Sequence, residues 1–354
     1  MPRKNRRRVC VTFDAHMLQR TNLHRDSHPL GPADLAGAGD STPVAQALSK
    51  AGHRVTLLPL GRDAAGALSK VTPRNTDIVF NLCDTLGGES RLAPLVPVQL
   101  EAQGVPVVGA DQFGLALSKR KHDVKALLVR DGLPTPRYCV VSHEQELRRF
   151  ELNIELPVIL KLTAEHSSIG IESTSVCFTL AEVKKRARWL LKRFQQPVLI
   201  EEYVAGREFY ISLFGADATP LPLMEHQFDE LPAGYLPIRT FDMKWFADPG
   251  AGGEKPRKDP RWALPVPHRR PASPWGGVLE DIPSLCRAAF LCVGGRDWGR
   301  IDFRLDRGGV PMVIDVTPNT YLGPSAPCVK AAALTGLTYA QFINAILEGA
   351  LTRT

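Results

Sequence analysis

Two aspartates, Asp302 and Asp315, stand where a carboxylate is hard to accommodate, near the middle or end of short apolar strands. Burying such a charge is costly unless something compensates it, so a facing pair suggests a shared cation; the alternative is the solvent face of a half-exposed hairpin. Lys161 poses the same question from the basic side, deep in the apolar run Leu156 to Leu162. Directly after it comes Glu165-His166-Ser167-Ser168-Ile169-Gly170, whose hydroxyls and backbone N–H groups, with a nearby ammonium, are the parts that hold phosphate oxygens. Farther on, PVLIEEYV ends an apolar strand in Glu201 and Glu202, which must point to opposite faces, so that one of them meets the core.

The elements that position these residues follow from periodicity. In RIDFRLDRGGVPMVIDVTPNTYL, from Arg300 to Leu322, Ile301, Phe303 and Leu305 alternate with Asp302, Arg304 and Asp306. Pro311 to Val316 is nearly all apolar, and Asp306-Arg307-Gly308-Gly309 supplies hairpin turn chemistry. Arg8 to Phe13 reads as a first strand, followed by a long loop from Asp14 to Asp40, a helix opened by Thr42-Pro43, and a strand from Arg54 to Leu60. Strands at Thr76 to Cys83 and Val105 to Val108 continue this βαβ pattern. The glycine pair Gly87-Gly88 lies at a strand's carboxyl end, where open parallel sheets place ligands. One lysine-rich helix is expected from Leu115 to Asp131, with Lys119, Arg120, Lys121 and Lys125 on a solvated face. Beyond it the pattern turns to shorter β elements: Ser142 with Gln145 and Thr179 with Glu182 signal capping boxes, Ile171 to Phe178 reads as a strand, and Arg207 to Phe214 as another.

With 354 residues the chain exceeds one ordinary core, so two or three domains are expected. No apolar run approaches the roughly 20 residues of a membrane span, and Asp14 ends the first apolar run too early for a signal peptide. Cytoplasmic residence without membrane contact is the expectation. Seven cysteines without a C-x-x-C pair signal neither a disulfide framework nor a zinc site. The net charge of +7 rests largely on Arg3, Lys4, Arg6, Arg7 and Arg8, which argues for a basic tail and against a nucleic-acid partner. His16, His24, His28 and Asp26 fit no tight ligand spacing and read as solvated loop residues.

The succession of buried Lys161, serine loop, PVLIEEYVAGREF and RIDF…MVIDVTPN, running from about Thr76 to Gly349, resembles the ATP-grasp superfamily and within it the D-alanine–D-alanine ligase branch. The resemblance implies an α/β and α+β fold: a Rossmann-like parallel domain over residues 1–115, a central lobe over 116–214 and a C-terminal lobe over 215–354, with ATP between the two lobes. It implies an ADP-forming carboxylate–amine ligase acting on amino acids or small peptides through an acyl phosphate, with ATP and Mg²⁺ (or Mn²⁺), and a possible homodimer. An ATP-grasp phosphotransferase and a degenerate nucleotide-binding protein stand as alternatives.

Carried over by that resemblance, Lys121, Lys161 and Lys244 match phosphate lysines, Ser167 and Ser168 belong to the covering loop, and His166 stands where a glycine is usual. Glu201, Glu202, Tyr203 and Val204 match the adenine hinge, Glu208 the ribose acid, and Arg300 the arginine that steadies the transition state. Asp302 and Asp315 match the metal carboxylates. Thr317 replaces the family's asparagine, so that Asn319 substitutes, a water fills the gap, or one of two metals binds weakly. The branch's glycine pair, serine and glutamate for the first substrate's ammonium have no counterpart between Phe13 and His28, and Trp245 replaces its tyrosine. Those departures imply a substrate other than the D-alanine pair.

Overall fold

In the computed structural model the described residues are 6–15, 32–166, 168–228, 231, 234–244, 268–271 and 281–353, with 32–38 and 268–271 described by backbone. The first sheet alternates with helices as β1 (Arg8–Asp14), α1 (Pro32–Lys50), β2 (Arg54–Leu60), α2 (Ala64–Ser69), β3 (Ile78–Asn81), α3 (Leu95–Ala102) and β4 (Val107–Val108). It is parallel, in the order β2-β1-β3-β4. β1 and β3 are buried along nearly their whole length, as expected of a parallel sheet covered on both faces. The helix start expected at Thr42-Pro43 lies instead at Pro32, with Pro43 inside α1. Val44, Ala47 and Leu48 pack fully into the core after the proline, and packing overrides the local capping signal. Gly39, whose carbonyl loses its helical partner to Pro43, is exposed and can turn to water.

The lysine-rich stretch forms two helices, α4 (Gln112–Ser118) and α5 (Lys121–Arg130), rather than one. The break has a long-range cause: the Lys121 N–H donates to Thr163 O at 3.0 Å, tying the start of α5 to the central sheet. That sheet is built from β5 (Tyr138–Val141), β6 (Val158–Leu162), β7 (Val176–Cys177) and, after α6 (Leu180–Phe194), β8 (Val198–Glu202). It is antiparallel in the order β5-β8-β6-β7. The Thr179–Glu182 capping box forms, and α6 buries Val183, Ala187 and Leu190. The Ser142–Gln145 box does not; Ser142 N donates to the Glu146 carboxylate at 3.2 Å instead. The strand expected from Ile171 shrinks to Val176–Cys177, because Glu172 N donates to Ser175 Oγ at 2.9 Å and closes a turn ahead of it.

The third sheet contains β9 (Glu208–Phe214), β10 (Thr219–Pro220), β11 (Met224–Gln227), β12 (His268–Pro271), β13 (Trp298–Leu305) and β14 (Pro311–Pro318), with α7 (Ile282–Cys292) inserted before β13. α8 (Pro327–Ala333) and α9 (Tyr339–Leu351) close the chain. Its order is β12-β11-β9-β13-β14, with β10 on β9. β9 therefore belongs with β13, not with the central lobe where a boundary at 214 would leave it. Register does the rest. Asp302 stands opposite Asp315, Arg300 opposite Thr317, and on the other side Arg304 opposite Glu208. Phe209, Ile211, Ile301, Phe303 and Leu305 fill the core beneath, so the alternate residues share the other face. The expected hairpin turn forms, with Gly309 at φ 82°.

The seven cysteines are free, and Cys10, Cys83, Cys177, Cys286 and Cys328 are buried. No helix among the described residues is long and apolar enough to cross a membrane. The first sheet docks on the third through Trp298, whose ring centroid lies 5.4 Å from that of Phe80 and whose indole N–H donates to Thr320 O at 2.8 Å. Asp297 beside it accepts from Gly109 N at 2.6 Å and from Arg353. Truncation by Trp298→Ala is expected to cost about 3–5 kcal/mol in urea unfolding, whereas Trp298→Phe, which loses the hydrogen bond but keeps an aromatic ring, should cost about 1–2 kcal/mol.

Candidate functional site

The charged face of the third sheet meets β6, β8 and the start of α5 across a cleft of about 970 Å³, open to solvent. Lys161 and Glu201 are diagonal neighbours on one face of the β6–β8 ladder. They form an ion pair there, and Lys125 joins from α5 at 2.8 Å from the same carboxylate. Glu201 is fully buried, so the core-facing acid required by the sequence is this one. Burial alone would raise its pKa, but Lys125 and Lys161 outweigh it and hold the carboxyl below the usual range. The balance differs for the two lysines. Burial lowers Lys125, whereas Glu201 and Asp315 overcome burial at Lys161 and raise it, so Lys161 keeps its charge at the cleft wall. The expected solvated face of the lysine helix is thus corrected for Lys121 and Lys125, which turn inward.

Lys121, the first residue of α5, donates to Asp315 Oδ1 at 2.7 Å. His166 completes the group. Its Nε2–H donates to Ser118 O at 2.8 Å, leaving Nδ1 as an acceptor 3.3 Å from the Lys121 ammonium. Burial, together with Lys121, pushes the His166 pKa down to about 4, so the ring is neutral at pH 7. For Asp315, burial pulls the pKa upward and the Lys121 ammonium pulls it down, leaving the carboxyl well below the usual range. Asp302 accepts from Arg300 Nη2 at 2.8 Å, yet burial and the neighbouring Asp315 raise its pKa. Two carboxylates in direct register, one destabilising the charge of the other, make a donor set suited to a hard cation. No group of three or more His, Cys, Asp or Glu among the described residues could hold a metal. The fit is therefore to an ion that takes one or two carboxylates and otherwise water or phosphate oxygens, as Mg²⁺ does.

Glu202, the last residue of β8, and Tyr203 and Val204 just beyond it line the cleft, with Glu208 at the start of β9. Glu208 is paired with Arg304 at 2.5 Å. Ser168, at φ 62°, and Lys244 line the same cleft. Ser167 and Trp245 lie outside the described residues, as do the histidine-rich stretch 16–31, the tail 1–5 and most of the stretch from 229 to 275. Asn319 is not brought to the cleft. At φ 52° its Oδ1 accepts from Ala110 N at 2.8 Å, a bond between the third and first sheets. Sequence reasoning missed Lys125 and Arg304 as members of the site. The available signals were the spacing of Lys125, one turn beyond Lys121, and the alternation Arg300-Asp302-Arg304 on a single strand face.

Comparison with known proteins gives one answer at several levels. A family model described as "D-ala D-ala ligase C-terminus" matches residues 127–230. An uncharacterized protein of Sinorhizobium fredii, y4sG, is 27% identical over 352 residues, covering 98% of this chain and 97% of its own. The D-alanine–D-alanine ligase of Bordetella pertussis is 30% identical over 253 residues, 71% of this chain and 72% of that one. A crystal structure of the D-alanine–D-alanine ligase from Bacillus anthracis, complexed with ATP, superposes with a TM-score of 0.70 over 98% of both chains at 15% identity, which shows the fold. The chain belongs to the D-alanine–D-alanine ligase family, the ADP-forming, peptide-bond-forming ligases of the ATP-grasp superfamily.

Proposed function

We propose that the protein joins the carboxylate of one amino acid or small peptide to the amine of another at the expense of ATP, through an acyl phosphate, and that its substrates are not the D-alanine pair. The observation that carries this reading is the convergence of Lys121, Lys161, Lys244, Arg300, Asp302 and Asp315 on one cleft from four separate stretches of the chain. Lys121, Lys161 and Lys244 would fix phosphate oxygens, with Ser167 and Ser168 in the loop that covers them. Asp302 and Asp315 would hold Mg²⁺ or Mn²⁺, which would supply charge neutralisation to the phosphates. Glu202 to Val204 offer backbone groups to the base, and Glu208 a carboxylate to the ribose. Glu201 acts one step back, by holding Lys161 in place.

In this arrangement a bound carboxylate attacks the γ-phosphorus in line and ADP departs. The amine then attacks the acyl carbon, and phosphate leaves as the amide forms. Arg300 lies beside the reacting centre and steadies the developing oxyanion. Positioning and electrostatics supply most of the rate, and exclusion of water protects the acyl phosphate from hydrolysis. A changed substrate is supported by Trp245, which cannot supply a tyrosine hydroxyl, and by the missing glycine, serine and glutamate pattern before His28. A site that has lost hydrogen-bonding groups discriminates strongly against the substrate that needed them.

Phosphate release from ATP and Mg²⁺, measured against amino acids singly and in pairs with mass spectrometry of the products, is expected to rise with one particular pair. The product should be lighter than the two substrates by one water. Abundant D-alanyl-D-alanine from D-alanine alone would overturn the substrate reading. Asp315→Asn is expected to lower turnover about 100-fold or more while the protein still folds, and a variant of undiminished rate would remove the metal role from that residue.

A further inference from the structure

Arg304 is buried, at 4% exposure, beneath the nucleoside end of the cleft. Its guanidinium is spent entirely on the protein. Nε and Nη2 both donate to one oxygen of Glu208, Oε2, at 2.8 and 2.5 Å. Nη1 donates to Val204 O at 2.8 Å, and Nη2 also reaches Pro237 O. The guanidinium carbon lies 5.5 Å from the ring centroid of Tyr203, so the fork is packed as well as bonded.

Two donors on a single oxygen do something that an ordinary side-by-side pair does not. A fork-to-fork pair would occupy both carboxylate oxygens, whereas this one leaves Oε1 outside the pair while removing the freedom of the side chain to rotate. The same guanidinium grips the hinge carbonyl of Val204, so carboxylate and hinge are held at a fixed separation.

We propose that Arg304 is a positioning residue for the nucleotide: by pinning Glu208 through Oε2 it aims Oε1 at the ribose diol, and the preference for a ribonucleotide depends on it. This rests on the reading of the cleft as the ATP site. A pinned acceptor makes its hydrogen bonds without first being ordered, so removing the pin weakens ribose recognition selectively.

The test compares ATP with 2′,3′-dideoxy-ATP by calorimetric Kd, and by kcat and KM where turnover is measurable. The full-length wild type, Arg304→Met, Arg304→Lys, Glu208→Gln and the double variant Arg304→Met with Glu208→Gln are used. Wild type is expected to favour ATP by about tenfold, the worth of a hydrogen bond to a charged group. Arg304→Met should weaken ATP about tenfold and leave the dideoxy nucleotide within about twofold, collapsing the ratio toward one. Glu208→Gln should collapse it similarly, and the double variant should be no worse than the single ones. Should Arg304→Met fail to fold, Arg304→Lys keeps the buried charge while losing the two-donor fork, and the same ratio is read from it. Equal weakening of both nucleotides, or an unchanged ratio, would overturn the proposal and leave Arg304 a purely structural residue. A wild type that binds ATP without discrimination, or not at all, would overturn the assignment of the ATP site itself, a failure distinguishable from the first.

Discussion

Charges on the inner face of the third sheet can remain out of water only where each has a partner, and this requirement shapes the whole cleft. Strands β9, β13 and β14 put Glu208, Arg300, Asp302, Arg304 and Asp315 on one surface, and the pairs Arg300–Asp302, Arg304–Glu208 and Lys121–Asp315 satisfy them. At an effective dielectric constant of about 20, a pair 2.8 Å apart attracts by about 6 kcal/mol, while desolvation costs several kcal/mol for each ion. The two nearly cancel. Such a network adds little to stability, but it leaves every member ready to exchange one partner for another at small cost. Phosphate oxygens arriving at Lys121, or a cation at Asp315, would replace one paired state by another without uncovering a lone buried charge.

The same requirement explains what could be read from the sequence. The Asp302–Asp315 opposition was legible because a tight turn fixes register, and Asp306 to Gly309 left the hairpin little choice. Lys161 and the core-facing acid of Glu201-Glu202 were legible because a charge in an apolar strand is anomalous by itself. Their mutual pairing was not, since forty residues separate them. Lys125 and Arg304 were hidden for the same reason: one looks like an ordinary helix-surface charge and the other like an ordinary alternating strand charge, until Glu201 or Glu208 arrives from elsewhere in the chain. The division of the lysine helix was equally non-local, because its cause is a carbonyl at Thr163. Thr42-Pro43 gave a clear helix-start signal that packing of the residues after it overrode.

Asn319 shows a different limit. Spacing alone allowed it to replace the missing asparagine at position 317, since both lie just beyond Asp315. The chain leaves the ladder at Pro318, and the left-handed backbone at Asn319 turns its amide toward Ala110. Strand periodicity stops predicting direction where the strand stops. The carboxamide is used to join two sheets, and the two carboxylates stay as the acidic donors on the cleft face.

That junction bears on how such a fold can change substrates without losing its chemistry. The end of the cleft proposed for the nucleotide lies between the central and third sheets, with Lys161, Glu201, Glu208 and Arg304 on its walls. Beyond Arg300, the chain following β14 is gripped from the first sheet's side instead. Asp40 of α1 accepts from Leu322 N at 2.6 Å, and burial raises its carboxyl pKa well above the usual range against the hydrogen bonds from Leu322, Gly323 and Tyr321 that lower it. A Cβ added at Gly323 would run into the Tyr321 phenol and sit 2.7 Å from Asp40 Oδ1, so a side chain there would have to displace both. The loop after β14 therefore takes part of its shape from Asp40 of α1, which lies outside the sheet that carries the charged face, and part from Tyr339 of α9, whose hydroxyl donates to Leu322 O at 2.9 Å. Substitutions around Asp40 can reshape that loop while the register of β9, β13 and β14 keeps the charged face intact. The retention of both carboxylates and the lysines, beside a divergent amino-terminal region and Trp245, has the pattern this division of labour permits.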